Sequence, residues 1–334
     1  MKDYLNRKVV LITLGAILGV VLAVWLVESE MDDTHSFTKF DGTVEIIMKD
    51  VFQSPPPVTE HGRNVDRVIV FVHIMMGVLF VGWTFYFLGC LVKFRESVHP
   101  KAESTGPSKL WTNLIEYGVI LAEVVLIVSF AVPLWGEVMN EQKIAQIKKD
   151  AGTGNGLEVH VLAKQFDWNA RYAGTDGKFA PQSILNANKV DNPFGIDSKD
   201  GTVDDVVVLN ARERARAIVV PMNTPIALKI TSMDVIHSFK VLPLRVCKDA
   251  IPGLQLPIWF EAKHEYLLHS AKPKDGEYIY AIQCAQLCGS GHAAMIGYLK
   301  VVPEDKFKDW LKMESAKQKA ARGSAKKTVA QATQ

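Results

Sequence analysis

Gln283-Cys284-Ala285-Gln286-Leu287-Cys288-Gly289-Ser290-Gly291-His292-Ala293-Ala294-Met295 is the stretch on which the reading of the chain turns. Two thiols stand four positions apart, an imidazole follows after four more, and a thioether after another three. Thiolate, imidazole and thioether are soft donors that suit copper, whereas magnesium and calcium take oxygen ligands. A Cys-x3-Cys pair alone would serve a redox couple or a disulfide equally well. Followed by His292 and Met295, at the end of a stretch of β-prone sequence, it points to a metal. A further nitrogen ligand has to come from another part of the sheet. His237, in Asp234-Val235-Ile236-His237-Ser238-Phe239 and expected at the end of a strand, is the best donor; His264 and His269 follow a more polar, loop-like stretch.

Three other uses of the same residues compete. A mononuclear blue-copper centre needs one cysteine, which leaves the second thiolate surplus. Zinc on two cysteines and two histidines leaves Met295 without a role. A Cys284–Cys288 disulfide is open to an extracytoplasmic chain, although copper binding deprotonates the thiols and competes with it. Two thiolates at this spacing can instead bridge two copper ions.

Working outward, residues 157–163 alternate partially, and residues 206–209, 217–220, 226–230, 258–262 and 278–282 are short β-prone runs. Short strands broken by Pro, Gly, Asn and Asp imply a β-sandwich or small barrel. Residues 173–204, rich in Gly, Asn, Asp and Pro, read as an excursion from the sheet. Residues 136–156 are polar, with Lys and Glu at helix-compatible spacing, and end in a Gly-rich turn, the pattern of a linker. Residues 304–334 read as a surface helix around 307–313, then a Lys/Ala/Gln/Thr tail too poor in large apolar groups to fold alone.

The first 135 residues differ in kind. Apolar runs at residues 9–27, 68–92 and 110–135 are each about long enough to span a bilayer. The first follows Lys2, Arg7 and Lys8, so it is either a retained span or a removed signal peptide. Lys93, Arg95, Lys101 and Lys109 make the connector between the second and third runs basic, while residues 28–66 are dominated by acids. The positive-inside rule therefore puts 94–109 in the cytoplasm and both 31–66 and everything after residue 135 outside. If the first span is retained, the N-terminus is cytoplasmic. Glu116 and Glu123 interrupt the third run, where a carboxylate is costly and faces protein, water or the interface. With 334 residues, a net charge of +2 and four cysteines, the chain has room for about two domains. Nothing in that balance suggests nucleic acid, and a disulfide scaffold would need more cysteines. The expected architecture is thus a transmembrane helical hairpin (67–135) with an N-terminal span or signal (1–30), a linker (136–156), an all-β domain (157–303) and a C-terminal helix and tail (304–334).

The stretches 234–239, Asp249-Ala250-Ile251-Pro252-Gly253 and 283–295 resemble subunit II of the haem–copper cytochrome c oxidases. The similarity covers the second and third apolar runs and residues 157–303. It implies a cupredoxin-like barrel with a binuclear CuA centre. Cys284 and Cys288 would bridge the coppers, and His237 and His292 would each cap one. Met295 and the backbone carbonyl of Gln286 would be weak ligands. It further implies a haem-bearing subunit I and other oxidase subunits as partners, a cytochrome c-type electron donor, contact with membrane lipid, and oxygen reduction coupled to proton pumping in the holoenzyme.

The departures from the family pattern carry expectations of their own. Gln286 stands where the family has a Glu that helps bind magnesium at the subunit I interface. A neutral amide is a poorer hard-cation ligand, so that site is expected weakened or lost. Phe166 takes the place of the Trp at which electrons arrive, with Trp168 beside it. Asp234 matches one donor-docking acid, while Met233 and Arg171 occupy places where acids are common, as though the donor differs from a lysine-rich cytochrome. Asn113-Leu114-Ile115-Glu116 resembles the segment whose Glu lies at the mouth of a proton path. A membrane-anchored copper chaperone is the alternative, as is another electron-transfer protein with the same copper loop.

Overall fold

The computed structural model describes residues 39–101, 108–197, 203–270, 273 and 275–332. The first apolar run, its basic flank and the acids that follow it at 28–33 lie outside the described residues. The chain divides into two compact units, one comprising residues up to Ser54 together with Asn64–Gly136, the other Pro55–Arg63 with Glu137–Gln334.

The described part of the first unit is helical. A short helix, α1 (Lys39–Ile46), precedes α2 (Glu60–Lys93), and α3 (Lys109–Leu126) continues through a wide turn at Ile127–Ala131 into α4 (Val132–Val138). Val44, Met48 and Val70 form a small buried cluster, and Phe71 stacks on Phe130 with ring centroids 5.3 Å apart. Two segments, Glu60–Lys93 and Thr112–Asp150, are long and apolar enough to cross a membrane, with mean hydropathies of 2.2 and 2.3 in their most apolar windows. Those windows are 11% and 0% buried, so their apolar side chains face outward rather than into a protein core.

The second unit is built on two five-stranded sheets. Its strands are β1 (Leu157–Lys164), β2 (Asp167–Tyr172), β3 (Val206–Val208), β4 (Ile218–Pro221), β5 (Ile226–Ser232), β6 (His237–Val241), β7 (Val246–Ala250), β8 (Leu256–Phe260), β9 (Tyr278–Cys284) and β10 (Ile296–Val302). One sheet runs β3-β2-β1-β5-β8 and the other β4-β10-β9-β6-β7. Most neighbours are antiparallel; β1 with β5 and β10 with β4 are parallel, so the chain crosses between sheets. Inward residues of both sheets, among them Trp168, Tyr172, Leu228, Phe239, Ile282 and Leu299, make one core. This is the barrel-like double sheet that the short β-prone runs predict.

Several segments differ from the sequence reading. The expected linker holds α5 (Glu141–Asp150), capped by Asn140, whose side chain accepts from the Lys143 N–H at 2.8 Å. Its Ile144 and Ile147 are buried against Ala227 and Trp259. Two apolar residues three apart in a polar stretch suffice to dock one helix face. Residues 55–63, expected as part of an acidic outer segment, pack on the barrel. Val58 is fully buried, its N–H donates to the Pro243 carbonyl at 2.8 Å, and the Thr59 hydroxyl donates to the Leu244 carbonyl at 3.0 Å.

The C-terminal tail is also a correction. After α6 (His264–Ser270), helix α7 runs from Glu304 to Ala332 rather than ending near 313. Phe307, Trp310 and Leu311 pack on the core, and polar side chains then take over. Gln318 pairs with both backbone groups of Val207, each at 3.0 Å. The Ser315 hydroxyl donates to the Asp204 carbonyl at 2.9 Å. These bonds satisfy the free edge of β3, which would otherwise expose unpaired backbone groups, and they explain why a tail poor in apolar residues is helical.

Candidate metal centre

One end of the β10-β9-β6 part of the sheet gathers the soft donors. His237 stands at a strand end, as expected: it is the first residue of β6, directly after the turn that holds Val235 and Ile236. Cys284 closes β9, and Met295 immediately precedes β10. β6 and β9 are antiparallel neighbours with Phe239 opposite Cys284, and the Ala285 N–H donates to the Ser238 carbonyl at 3.0 Å. The strand register therefore carries an imidazole from residue 237 to a thiol 47 positions later.

The ligand atoms of His237, Cys284 and Cys288 all lie within 4.8 Å of one another. The two sulfurs are 3.7 Å apart, and all four cysteines are free thiols. His237 Nδ1 sits 3.9 Å from the Cys284 sulfur, and His292 Nδ1 sits 3.6 Å from that of Cys288. Each imidazole thus abuts a different sulfur. Met295 Sδ is 3.7 Å from the Cys288 sulfur, and the Cys284 thiol donates to the Gln286 carbonyl at 3.1 Å. His237, Cys288 and Met295 are buried, while Cys284 and His292 are half-buried beside a hollow of about 280 Å³ that Lys240, Gln283 and Ile296 also line. Burial, reinforced by the adjoining Cys284 thiol and the charge of Asp234, raises the Cys288 thiol to about 11. A metal taking this sulfur must displace a tightly held proton.

Asp234 aims its carboxylate into the site. Its Oδ1 lies 3.0 Å from His237 Nε2 and accepts from the Val235 N–H at 2.8 Å, and its Oδ2 accepts from the Gln165 N–H at 2.9 Å. Burial opposes its charge, but these hydrogen bonds outweigh it and hold the carboxyl below the ordinary range. With Nε2 so engaged, His237 has Nδ1 left to face the sulfurs, the arrangement by which an outer carboxylate orients a metal-binding imidazole.

Gln165 is a residue the sequence reading did not single out. Its side-chain amide donates to the Cys288 carbonyl at 2.7 Å, tying the β1–β2 turn to the metal loop. Only its place next to Phe166 hinted at this. Phe166 is half-buried and packs over the loop so closely that a Cβ on Gly291 would lie 2.5 Å from its ring. Trp168 is fully buried, with its ring centroid 6.2 Å from that of His237 and 5.4 Å from that of Phe239.

Arg171, expected on a docking face, is instead inside. It is fully buried, its Nε lies 2.5 Å from Asp205 Oδ2, and its Nη2 donates to the Ala180 carbonyl. Its Arg-for-acid exchange therefore belongs to the core and not to the surface. Glu116 and Glu123 are exposed on α3, in the helical unit.

Residues 158–302 match the family model for the periplasmic domain of cytochrome c oxidase subunit II. The β-domain belongs to the cytochrome c oxidase subunit II family. An alternative cytochrome c oxidase subunit 2 from Bradyrhizobium diazoefficiens is 23% identical over 77% of this chain and 83% of its own length. Cytochrome c oxidase subunit 2 of Cereibacter sphaeroides is 25% identical over 74% of this chain and 71% of its own. The solved periplasmic domain of subunit II from Bradyrhizobium japonicum aligns at 24% identity and a TM-score of 0.33, covering 48% of this chain and 94% of that one. Two membrane-capable helices among the described residues, followed by this domain, fit a membrane protein that carries its β-domain on the outer side.

Proposed function

We propose that this subunit II receives electrons, one at a time, from a cytochrome c-type donor at a binuclear CuA centre and relays them to a haem in subunit I. The observation that carries the reading is the pairing of each imidazole with a different sulfur of a 3.7 Å thiol pair, with a thioether and a carbonyl completing the donors. Six donors exceed what a structural zinc ion uses, and their softness fits copper. Two thiolate-bridged copper ions supply, when bound, a one-electron carrier whose charge is shared between two nuclei.

Cys284 and Cys288 would bridge the ions, His237 and His292 would each serve one, and Met295 and the Gln286 carbonyl would be the weak ligands. Asp234 holds His237 in the tautomer that leaves Nδ1 free. The burial of Met295, Cys288 and His237 keeps water from the Cys288 side of the centre, while Cys284 stays beside the hollow. Phe166 and Trp168 supply aromatic contact between the outer surface and His237. The Gln286 amide gives a magnesium ion at the subunit I interface little to bind. Glu116 would sit at the mouth of a proton path into subunit I, where oxygen reduction and proton pumping would take place. The proposed layout keeps an N-terminal span or signal at 1–30, the helical hairpin at 67–135 and the copper domain at 157–303.

The test is the purified membrane complex. An a-type haem band should accompany the chain, and Cys284→Ser or Cys288→Ser should each remove the copper absorption while the haem band persists. A chain that purifies with copper but with no haem partner after gentle extraction would support the membrane-anchored chaperone instead.

A further inference from the structure

The surface around the centre is charged in a way that selects the donor, an inference that rests on the electron-accepting reading above. The turn His292–Ala294 lies between two neighbours. On one side is the Phe166 ring, against Gly291. On the other is Arg212, whose Nη2 donates to the Ala294 carbonyl at 3.2 Å. Beyond Arg212 the chain exposes Glu213, Arg214 and Arg216 in succession. Arg214 lies over the Tyr298 ring at 5.6 Å, which holds it beside β10. Next to Phe166, Lys164 donates to the Lys189 carbonyl and so keeps the exposed Lys189 at the same corner.

The acids in this region are mostly spent internally. Asp234, 13% exposed, accepts three hydrogen bonds directed inward. Asp167, 15% exposed, is held by the Asn169 amide at 2.6 Å and by Lys164 at 3.5 Å. Glu213 is matched by Arg216 at 2.6 Å. Asp191 and Asp249 remain exposed. Against them stand Lys189, Arg212, Arg214 and, at the hollow beside Cys284, Lys240, none of which has an acidic partner among the described ion pairs. Half-buried Phe166 follows Gln165, and exposed Val235 and Ile236 follow Asp234, the two residues that this face joins by a hydrogen bond of 2.9 Å. An apolar centre with a cationic rim fits a partner with an apolar centre and an anionic rim.

We infer that the electron donor is an acidic c-type cytochrome, with carboxylates around its exposed haem edge, and that Arg212 and Arg214 are the cations that meet them. Steering of this kind changes association by about 10- to 1000-fold at low salt and fades as the screening length falls from about 30 Å at 0.01 M to about 8 Å at 0.15 M.

The probe is one lysine-rich cytochrome c in two forms, native and fully succinylated, so that the same protein carries opposite charge. Binding of each ferric form to the purified oxidase is measured by biosensor across that salt range. The succinylated form should bind at least about tenfold tighter at low salt and weaken as salt rises, while the native form should bind poorly and gain with salt. Arg212→Glu with Arg214→Glu should reverse the order. Arg214→Glu alone, which leaves the Ala294 contact in place, should reduce the difference, and Glu213→Lys should enlarge it. Tighter binding of the native form that weakens with salt, or equal binding of both forms at all salt concentrations, would overturn the inference. Because ferric binding needs no electron transfer and no bound copper, the copper reading fails or stands on its own spectrum.

Discussion

Replacing Asp234 by Asn tests whether the carboxylate, and not merely a polar group of that size, organises the centre. Oδ1 serves His237 Nε2 and the Val235 N–H, and Oδ2 serves the Gln165 N–H. An amide has one oxygen to offer. With that oxygen turned to His237, the new NH2 faces the Gln165 N–H, donor against donor; with the amide flipped, it faces His237 and frees the ring to adopt the other tautomer. Either orientation sets a donor against a backbone N–H, that of Gln165 or that of Val235, both on the exposed side of the turn, so the main cost falls on the orientation of the His237 ring. Loss of an outer-shell partner lowers metal affinity by about 10- to 100-fold, or about 1.4–2.7 kcal/mol. The assay is copper retention against a chelator, followed by the copper absorption, in wild type and Asp234→Asn. Affinity unchanged within about threefold would refute the argument that Asp234 sets the His237 tautomer.

Other consequences are local. Asp205→Ala strands the fully buried Arg171 and should destabilise the domain by about 3–5 kcal/mol, whereas Arg171→Met with Asp205→Leu should recover most of that loss; denaturant midpoints measure both. Gly291→Ala puts a methyl 2.5 Å from the Phe166 ring, so it should cost about 1–3 kcal/mol and weaken copper retention, with Phe166→Ala restoring part of it. Burial depresses His160 below 6.5 despite its bond to Glu158 at 3.1 Å. The unfolded chain therefore binds the extra proton first, and stability falls as pH drops below about 6.5, levelling off beneath the folded value. Thermal unfolding between about pH 5 and 8 should show that acid slope; His160→Gln should reduce it, leaving the part due to His61, which burial lowers to about 4.

The site was more legible than the scaffold around it. Soft donors at fixed spacing in 283–295 mark a metal loop whatever the fold, and His237 stands out as an imidazole bounded by β-prone sequence. Strands β2, β6, β7 and β10 were absent from the β-prone runs; in β2 and β6 the buried positions include Asn169, Arg171, His237 and Ser238, polar residues that only a folded partner can satisfy. The Arg171–Asp205 pair shows why: a guanidinium between two strand residues reads as surface until an acid 34 positions away is seen beside it. Helix α7 escaped for a similar reason, since Gln318 and Ser315 hold it by hydrogen bonds to the β3 edge and not by an apolar stripe. Asp234 read as a surface acid, and its inward aim depends on a turn set by the Gln165 N–H.

Counting copper in the purified oxidase and recording its electron paramagnetic resonance tests the central claim most directly. Two copper ions on this chain are expected, with a hyperfine pattern from one unpaired electron shared equally between two copper nuclei. A single copper with one-nucleus hyperfine structure, or zinc in place of copper, would contradict it.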